Sequence, residues 1–211
     1  MNPPATRPPI FRDHALQQAG LQNALHQAGD FELVLLSNVC LLRVHSLQPL
    51  AELNAALDHT GIHLPERVNQ ASGQDPWALC LAPSDWLLFS ETRTLEQLQP
   101  PLQAAVDPVL TAVLDQSAAL AVFRLGGSTA TWLLSKCAGL DWRRMMASGQ
   151  HCCRTKLDRL PAILHYHPPG NGSGAPVFDV MMERSLARHG WQMLLDRLPH
   201  ARELEQRHGP L

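Results

Sequence analysis

The sequence predicts an α+β fold in which one run of elements is built twice, and three observations carry that prediction. Short apolar runs rich in branched residues alternate with stretches whose apolar residues recur at helical spacing. From residue 41 the order is strand, helix, strand, strand, helix, strand, which is that of a split βαβ, or ferredoxin-like, half. From Leu120 a second, less regular pass begins, so the duplication is one of architecture and not of sequence. Two sheets of mixed strands, each with helices on one face, would satisfy both passes.

The central stretch from Val113 to Cys137 shows the unit most clearly. Leu120, Val122 and Leu125 belong to a strand, and Gly126-Gly127 breaks it. Ser128 and Thr129 suit an N-cap, and Ala130, Leu133, Leu134 and Cys137 then line one side of a helix. In the first pass, LLRVHS (41–46) precedes PLAELNAALDHTG (49–61), where Pro49 suits a first helical turn and Gly61 the stop. WALCLA (77–82) turns through Pro83-Ser84-Asp85 into WLLFSE (86–91). The helix that starts at TLEQLQ meets Pro100-Pro101, which should kink or split it, and Val109 to Leu114 closes the pass.

The second pass runs through strand 120–125, helix 128–137, strands 151–157, 161–166 and 177–182, and helix 185–198. Ser185 is its expected N-cap, and Ala187, Trp191, Leu194 and Leu198 form its buried side. PPGNGSGAP (168–176) is a loop by composition. These boundaries give one domain over 31–198, with pseudo-repeats at about 40–115 and 119–198, and a polar tail over 199–211 after Pro199. Residues 1–30 read as a proline-rich tail followed by a helix from Asp13 to about Ala28. Phe31 to Leu36 and Val39 to Val44, separated by Ser37-Asn38, form a hairpin or one bent strand.

Composition narrows the function. With 211 residues, 45% of them hydrophobic, the chain can bury a substantial core. A net charge of −2 offers no basic footprint for nucleic acid. No apolar run approaches the ~18 residues that span a bilayer, and the N-terminus has no signal-peptide core, so a cytoplasmic protein without membrane partners is expected. Cys40, Cys80, Cys137, Cys152 and Cys153 are odd in number and sit mostly in apolar stretches, as reduced buried thiols would.

Candidate chemistry is sparse. His151, Cys152 and Cys153, with Cys137 upstream and His165 and His167 downstream, form the one grouping that suggests a metal. The paired spacings typical of tetrahedral zinc are missing, so no metal is expected. On strands His151 and Cys153 would share one face, as would His165 and His167. Gly126-Gly127 before a helix suits an anion, yet the further glycines of a phosphate-binding fingerprint are lacking. Asp115 suits a turn cap better than an acid or base. Arg184 has the chemistry to reach a partner's carboxylate. The tryptophans, Trp86 and Trp191 among them, fit core or interface positions. No nucleophile motif is present, and no catalytic residue is expected.

Four patches, in order, resemble the gamma subunit of heterotetrameric sarcosine oxidase. LPERVN (64–69) is similar to an L-P-x-x-x-N segment, and APSDWLLF (82–89) to G-P-D-E-W-L-L. LDQSAALAVFRLGGSTATWLLSKCAGLDW (114–142) resembles V-S-x-x-R/Q-x-x-x-x-L-x-G-P-x-A-x-x-x-L-x-K-x-x-x-x-D, and FDVMMERSLARHGWQMLLD (178–196) resembles F-D-L-x-V-x-R-S-F-A-x-Y-x-W-x-W-L. Trp86, Gly126, Arg184, Ser185 and Trp191 fall in these patches and are the structural or partner-contact candidates. The resemblance spans roughly residues 40–198. It departs where the family's Arg-Ser-Phe is Arg184-Ser185-Leu186, where its next aromatic pair is His189-Gly190, and where Phe-Pro-Pro-Gly is replaced by Met145 to Gly149.

The resemblance implies a fold like the folate-binding domain of glycine-cleavage aminomethyltransferase. It implies a non-catalytic subunit with no cofactor of its own, packed chiefly on the alpha subunit of a flavoenzyme. That complex demethylates sarcosine to glycine, forms hydrogen peroxide and passes the one-carbon unit to tetrahydrofolate. FAD, FMN, NAD and tetrahydrofolate would then lie in partner subunits. The departures open the choice of amine, sarcosine or another secondary amine. The alternative implied by the same fold is a free-standing folate-binding or one-carbon transfer protein in which Asp115 or Arg184 contacts the ligand.

Overall fold

A computed structural model describes residues 25–149, 151–167 and 174–209. The first half follows the expected order. Strand β3 (Cys40–Ser46) leads to helix α1 (Leu50–Leu57), which ends in a 3-10 turn, Asp58–Thr60, and a left-handed Gly61 at φ 71°. After β4 (Ala71–Ser72) come β5 (Trp77–Ala82), β6 (Asp85–Ser90), α2 (Leu95–Ala105) and β7 (Thr111–Asp115). Their sheet has the order β4-β5-β6-β3-β7, and every pair in it is antiparallel. That is the split βαβ arrangement with a short extra edge, though the strands are not mixed in direction.

Of the kink or split expected at Pro100 and Pro101, the split does not occur: helix α2 runs unbroken through both. Leu98 and Leu102 on its inner face are fully buried against the sheet, and this packing offsets the two hydrogen bonds that the prolines cannot make.

The second half is the same arrangement with one displacement. It comprises β8 (Leu120–Gly126), α3 (Thr129–Cys137), α4 (Trp142–Ala147), β9 (Cys152–Leu157), β10 (Leu160–His167), β11 (Val177–Glu183) and α5 (Ala187–His208). Its sheet order is β1-β2-β8-β11-β10-β9, where β1 is Leu25–Ala28 and β2 is Phe31–Leu36. The strand that closes this half, equivalent to β7, is therefore β2, taken from near the N-terminus. Phe31 to Leu36 and Cys40 to Ser46 are thus neither a hairpin nor one strand. Around Asn38, at φ 61°, the chain leaves one sheet and enters the other.

Two further expectations change here. The helix placed from Asp13 to about Ala28 lies outside the described residues up to 24, and Leu25–Ala28 is a strand paired with β2. Helix α5 does not end before Pro199 but continues to His208. Ala201 extends the apolar stripe of Leu194 and Leu198, the Trp132 indole donates to Gly209 O at 2.9 Å, and Arg202 donates to Ala28 O. These anchors hold the last turns despite the missing amide. Ser185 caps nothing. It is exposed within a 3-10 turn, Arg184–Leu186, that precedes the helix.

Apolar alternation along the strands sorts the layers. Helices α1 and α2 cover one outer face over Leu42, Val44, Leu53, Leu57, Leu88 and Leu98. Helices α3, α4 and α5 cover the other over Phe31, Phe123, Leu133, Phe178 and Leu194. Between the sheets Leu41, Leu79, Leu87 and Phe89 meet Val122, Cys152 and Met181, giving a helix, sheet, sheet, helix sandwich.

Candidate functional site

Charged residues stand in this inter-sheet layer, where the strand pattern would place apolar ones. Arg124 on β8, Asp179 on β11 and His165 on β10 form one row by register across three strands. His167 lies two residues on, on the same face. Asp179 is fully buried. Its Oδ1 accepts from Arg124 Nε at 2.8 Å, and its Oδ2 accepts from Arg124 Nη2 at 3.0 Å and from His167 Nε2 at 2.5 Å. The other edge of Arg124 crosses to the opposite sheet, where Glu91, just past β6, takes two hydrogen bonds at 2.8 and 3.0 Å.

Aromatic rings close the row. Trp77 lies 4.8 Å from His165 and 5.4 Å from His167, and the two imidazoles are 4.1 Å apart. His165 is wholly buried, and neither ring nitrogen has a hydrogen-bond partner among the described residues. Its Nδ1 is 3.7 Å from Asp179 Oδ2, too far to bond.

Burial pushes the His165 pKa down to about 4, against the pull of Asp179. Burial alone would raise the Asp179 carboxyl, but the imidazoles and the Arg124 guanidinium hold it well below the usual range. Arg124 is likewise pulled down by burial and carried back above its ordinary value by Asp179 and Glu91. The arrangement is a locked ionic row that pins one sheet to the other, next to an imidazole without a partner.

A second ionic cluster occupies the same layer. Asp85 on β6 accepts from Arg43 Nε and Nη2 at 2.8 and 2.9 Å, and from Arg154 Nη2 of the opposite sheet at 2.9 Å. Of two surface hollows, the first shares no residue with either cluster and the second includes Arg154 of the Asp85 cluster. The first is lined by Asp158, Arg159, His189 and Arg197, the second also by Leu120, Ile163, Met181 and Glu183. Neither has a nucleophile beside a base.

The residues singled out from the sequence are scattered. Trp86 is buried in the first half, its indole donating to Pro65 O at 2.8 Å, and Trp191 packs 6.0 Å from Phe123 in the second. Arg184 donates to the carbonyls of Ser117, Ala118 and Leu120, tying the start of β8. Asp115 caps a turn by accepting from Ser117 N at 2.9 Å.

Gly126 ends β8, and Gly127, at φ 100°, passes so close to Asp30 that a Cβ would lie 2.4 Å from its carbonyl oxygen. The helix start that follows is already filled by an anion of the chain itself. Asp30 Oδ2 accepts from Ser128 N at 2.9 Å and from Ser128 Oγ at 2.5 Å, bonds that hold its carboxyl below the usual range.

The metal grouping considered from the sequence does not assemble. His165 is paired opposite Cys152, while Cys153 faces the helices on the other side of the sheet. All five cysteines are free and buried, and burial pushes the thiols of Cys137 and Cys153 up to about 11, which leaves them unreactive. Sequence reasoning missed Asp179 and Arg124, although a signal was present. FDVMM and AVFRLG each carry one charge inside an otherwise apolar strand, where a charge needs a buried partner.

The structure defines a duplicated α+β protein of two antiparallel sheets packed face to face, and known structures share this architecture. Over 90% of its length the chain is similar to a chain of the heterotetrameric sarcosine oxidase from Corynebacterium sp. U-96, solved in complex with pyrrole 2-carboxylate. The likeness covers 94% of that chain, with a TM-score of 0.69 and 23% identity. It is also similar to glycine cleavage system aminomethyltransferase T from Bartonella henselae, at a TM-score of 0.59 and 16% identity. There 86% of this chain spans 48%, about half, of the other. No protein-family model matches the sequence, and no curated protein does. At these identities the likeness establishes the fold.

Proposed function

We propose that the chain is a non-catalytic gamma-type subunit of a heterotetrameric, sarcosine oxidase-like flavoenzyme complex. One observation carries this reading: the likeness to a chain of that oxidase is end to end, taking in 90% of this chain and 94% of the other. The four sequence patches that resemble the gamma family support it. In the proposed assembly, oxidative demethylation of sarcosine or a related secondary amine, hydrogen peroxide formation and one-carbon transfer to tetrahydrofolate take place on partner subunits. Those subunits hold FAD, FMN, NAD and tetrahydrofolate, and the alpha subunit is the main contact. A location in the cytoplasm belongs to the same proposal. Among the described residues no helix is long and apolar enough to cross a membrane.

Pull-down of the tagged full-length chain from its native host tests the reading. A yellow complex whose partners include a large flavoprotein, with sarcosine-dependent peroxide formation, is the expected result. Recovery of the chain alone would overturn it. The second reading, a free-standing folate or one-carbon protein, has the aminomethyltransferase likeness in its favour. Against it, Asp115 and Arg184 are engaged with backbone groups of their own chain. Calorimetric titration of the purified chain with tetrahydrofolate decides that reading, and absence of heat removes it.

A further inference from the structure

We propose that His165, His167 and Asp179 form a binding site for a single divalent transition-metal ion of the zinc class. Each residue offers one ligand atom, and these atoms lie within 4.8 Å of one another. Two imidazoles at i and i+2 on β10 share a face, and Asp179 on the neighbouring strand stands opposite His165 by register. Imidazole and carboxylate are ligands that zinc and its neighbours accept, at about 2.0–2.2 Å, which sets tetrahedral ligand atoms about 3.3 Å apart. His165 Nδ1 to Asp179 Oδ2, at 3.7 Å, is close to that span. The hydrogen bond between His167 Nε2 and Asp179 Oδ2, at 2.5 Å, would open by less than about 1 Å.

Three features of the surroundings favour a cation. His165 is a wholly buried imidazole with both nitrogens unpartnered among the described residues, an unfavourable arrangement unless a ligand takes one of them. Glu91 occupies the far edge of Arg124, so Arg124, Asp179 and Glu91 together leave one negative charge unbalanced beside two imidazoles. A divalent cation taking one nitrogen from each ring would meet that charge and give the orphaned His165 a partner. Finally, Arg124 holds Asp179 with both prongs, Nε to Oδ1 at 2.8 Å and Nη2 to Oδ2 at 3.0 Å, which fixes the carboxylate plane with Oδ2 also facing the imidazoles, as an outer partner orients a ligating carboxylate.

The inference is independent of the proposed subunit role. Untagged full-length protein, stripped with chelator and dialysed against Zn²⁺ or Co²⁺ alone, is expected to retain one ion per chain by elemental analysis. With Co²⁺ it should show the visible absorption of a nitrogen- and oxygen-ligated site. His165→Leu and His167→Gln should each weaken binding at least about 10–100-fold while circular dichroism shows the fold retained. Failure of the wild-type chain to bind stoichiometrically would overturn the proposal, and no variant is needed for that outcome. Equal binding by both variants would overturn it too, because the ion would then lie elsewhere.

Discussion

The two halves of the molecule use the same elements, yet one is made from a single stretch of chain and the other is not. Residues 40–115 contain every strand and helix of the first half. The second half must borrow β2, so its sheet closes only when Phe31–Leu36 reaches β8, some ninety residues away in sequence. The ionic clusters differ as well. Asp85, in the first half, is neutralised by Arg43 of its own sheet and Arg154 of the second, whose side chains are 41% and 43% exposed. In the second, Asp179 is completely enclosed, and its remaining neighbours are imidazoles. Both clusters bridge the sheets, Arg154 reaching Asp85 from the second half and Glu91 reaching Arg124 from the first, and what separates them is the enclosure of the central carboxylate and its partners.

The largest effect that tests this contrast comes from removing each carboxylate. Asp179→Ala leaves Arg124 to Glu91 alone, takes the buried acceptor from Arg124 Nε and His167 Nε2, and should cost about 3 kcal/mol or more. Asp85→Ala releases two arginines that already reach water and should cost about 1–3 kcal/mol. Urea unfolding of both variants at neutral pH measures the pair. Equal losses would mean that enclosure is not what separates the clusters.

Acid gives the next effect, and its sign follows from His165. Burial lowers its folded pKa to about 4, below the ordinary histidine value of about 6.5. Above about 6.5 neither folded nor unfolded chain protonates this group. Between about 6.5 and 4 the unfolded chain binds a proton that the folded chain refuses, so stability falls as pH falls through that window, by roughly 3 kcal/mol in all. Asp179 and Asp85, whose folded pKa values are depressed, keep their contributions until the pH drops below about 4. Chelator-treated protein should therefore lose stability in two steps, histidine first. His165→Leu, of similar volume, should flatten the first step, and an unchanged profile would show that His165 is not its source.

Much of the first half was legible because its signals are local. Pro49 and Gly61 bracket a helix, Pro83-Ser84-Asp85 marks a turn, and the order of elements names the sheet. The second half hid its last strand because nothing within Phe31–Leu36 says which distant edge it will pair with. Pro199 did not stop its helix and Pro100-Pro101 did not split theirs, for a related reason: tertiary burial of Leu198, Ala201, Leu98 and Leu102 overrode a local rule. Asp115 as a turn cap was readable from neighbours two residues away. The Asp179 row was not, since it joins three strands whose register is fixed only by the folded sheet.

The smallest effect isolates the same distinction at two helix starts. Thr94 and Gln97 form a capping box at α2 from residues three apart, with Thr94 N donating to Gln97 Oε1 at 2.8 Å. At α3 the equivalent service comes from Asp30, across the closure of the second half. Thr94→Ala and Asp30→Ala should each cost about 1 kcal/mol at neutral pH. They should separate in acid. The depressed Asp30 carboxyl contributes fully above the unfolded value of about 3.9 and loses its contribution as pH falls through its lower folded pKa, so the Asp30→Ala deficit should shrink there. The threonine cap carries no charge to lose, and its deficit should persist. Denaturant midpoints of the two variants at pH 7 and near pH 3 measure the separation. Deficits that stay parallel would mean that Asp30 acts by packing its loop against Gly127 and not as the charged cap of α3.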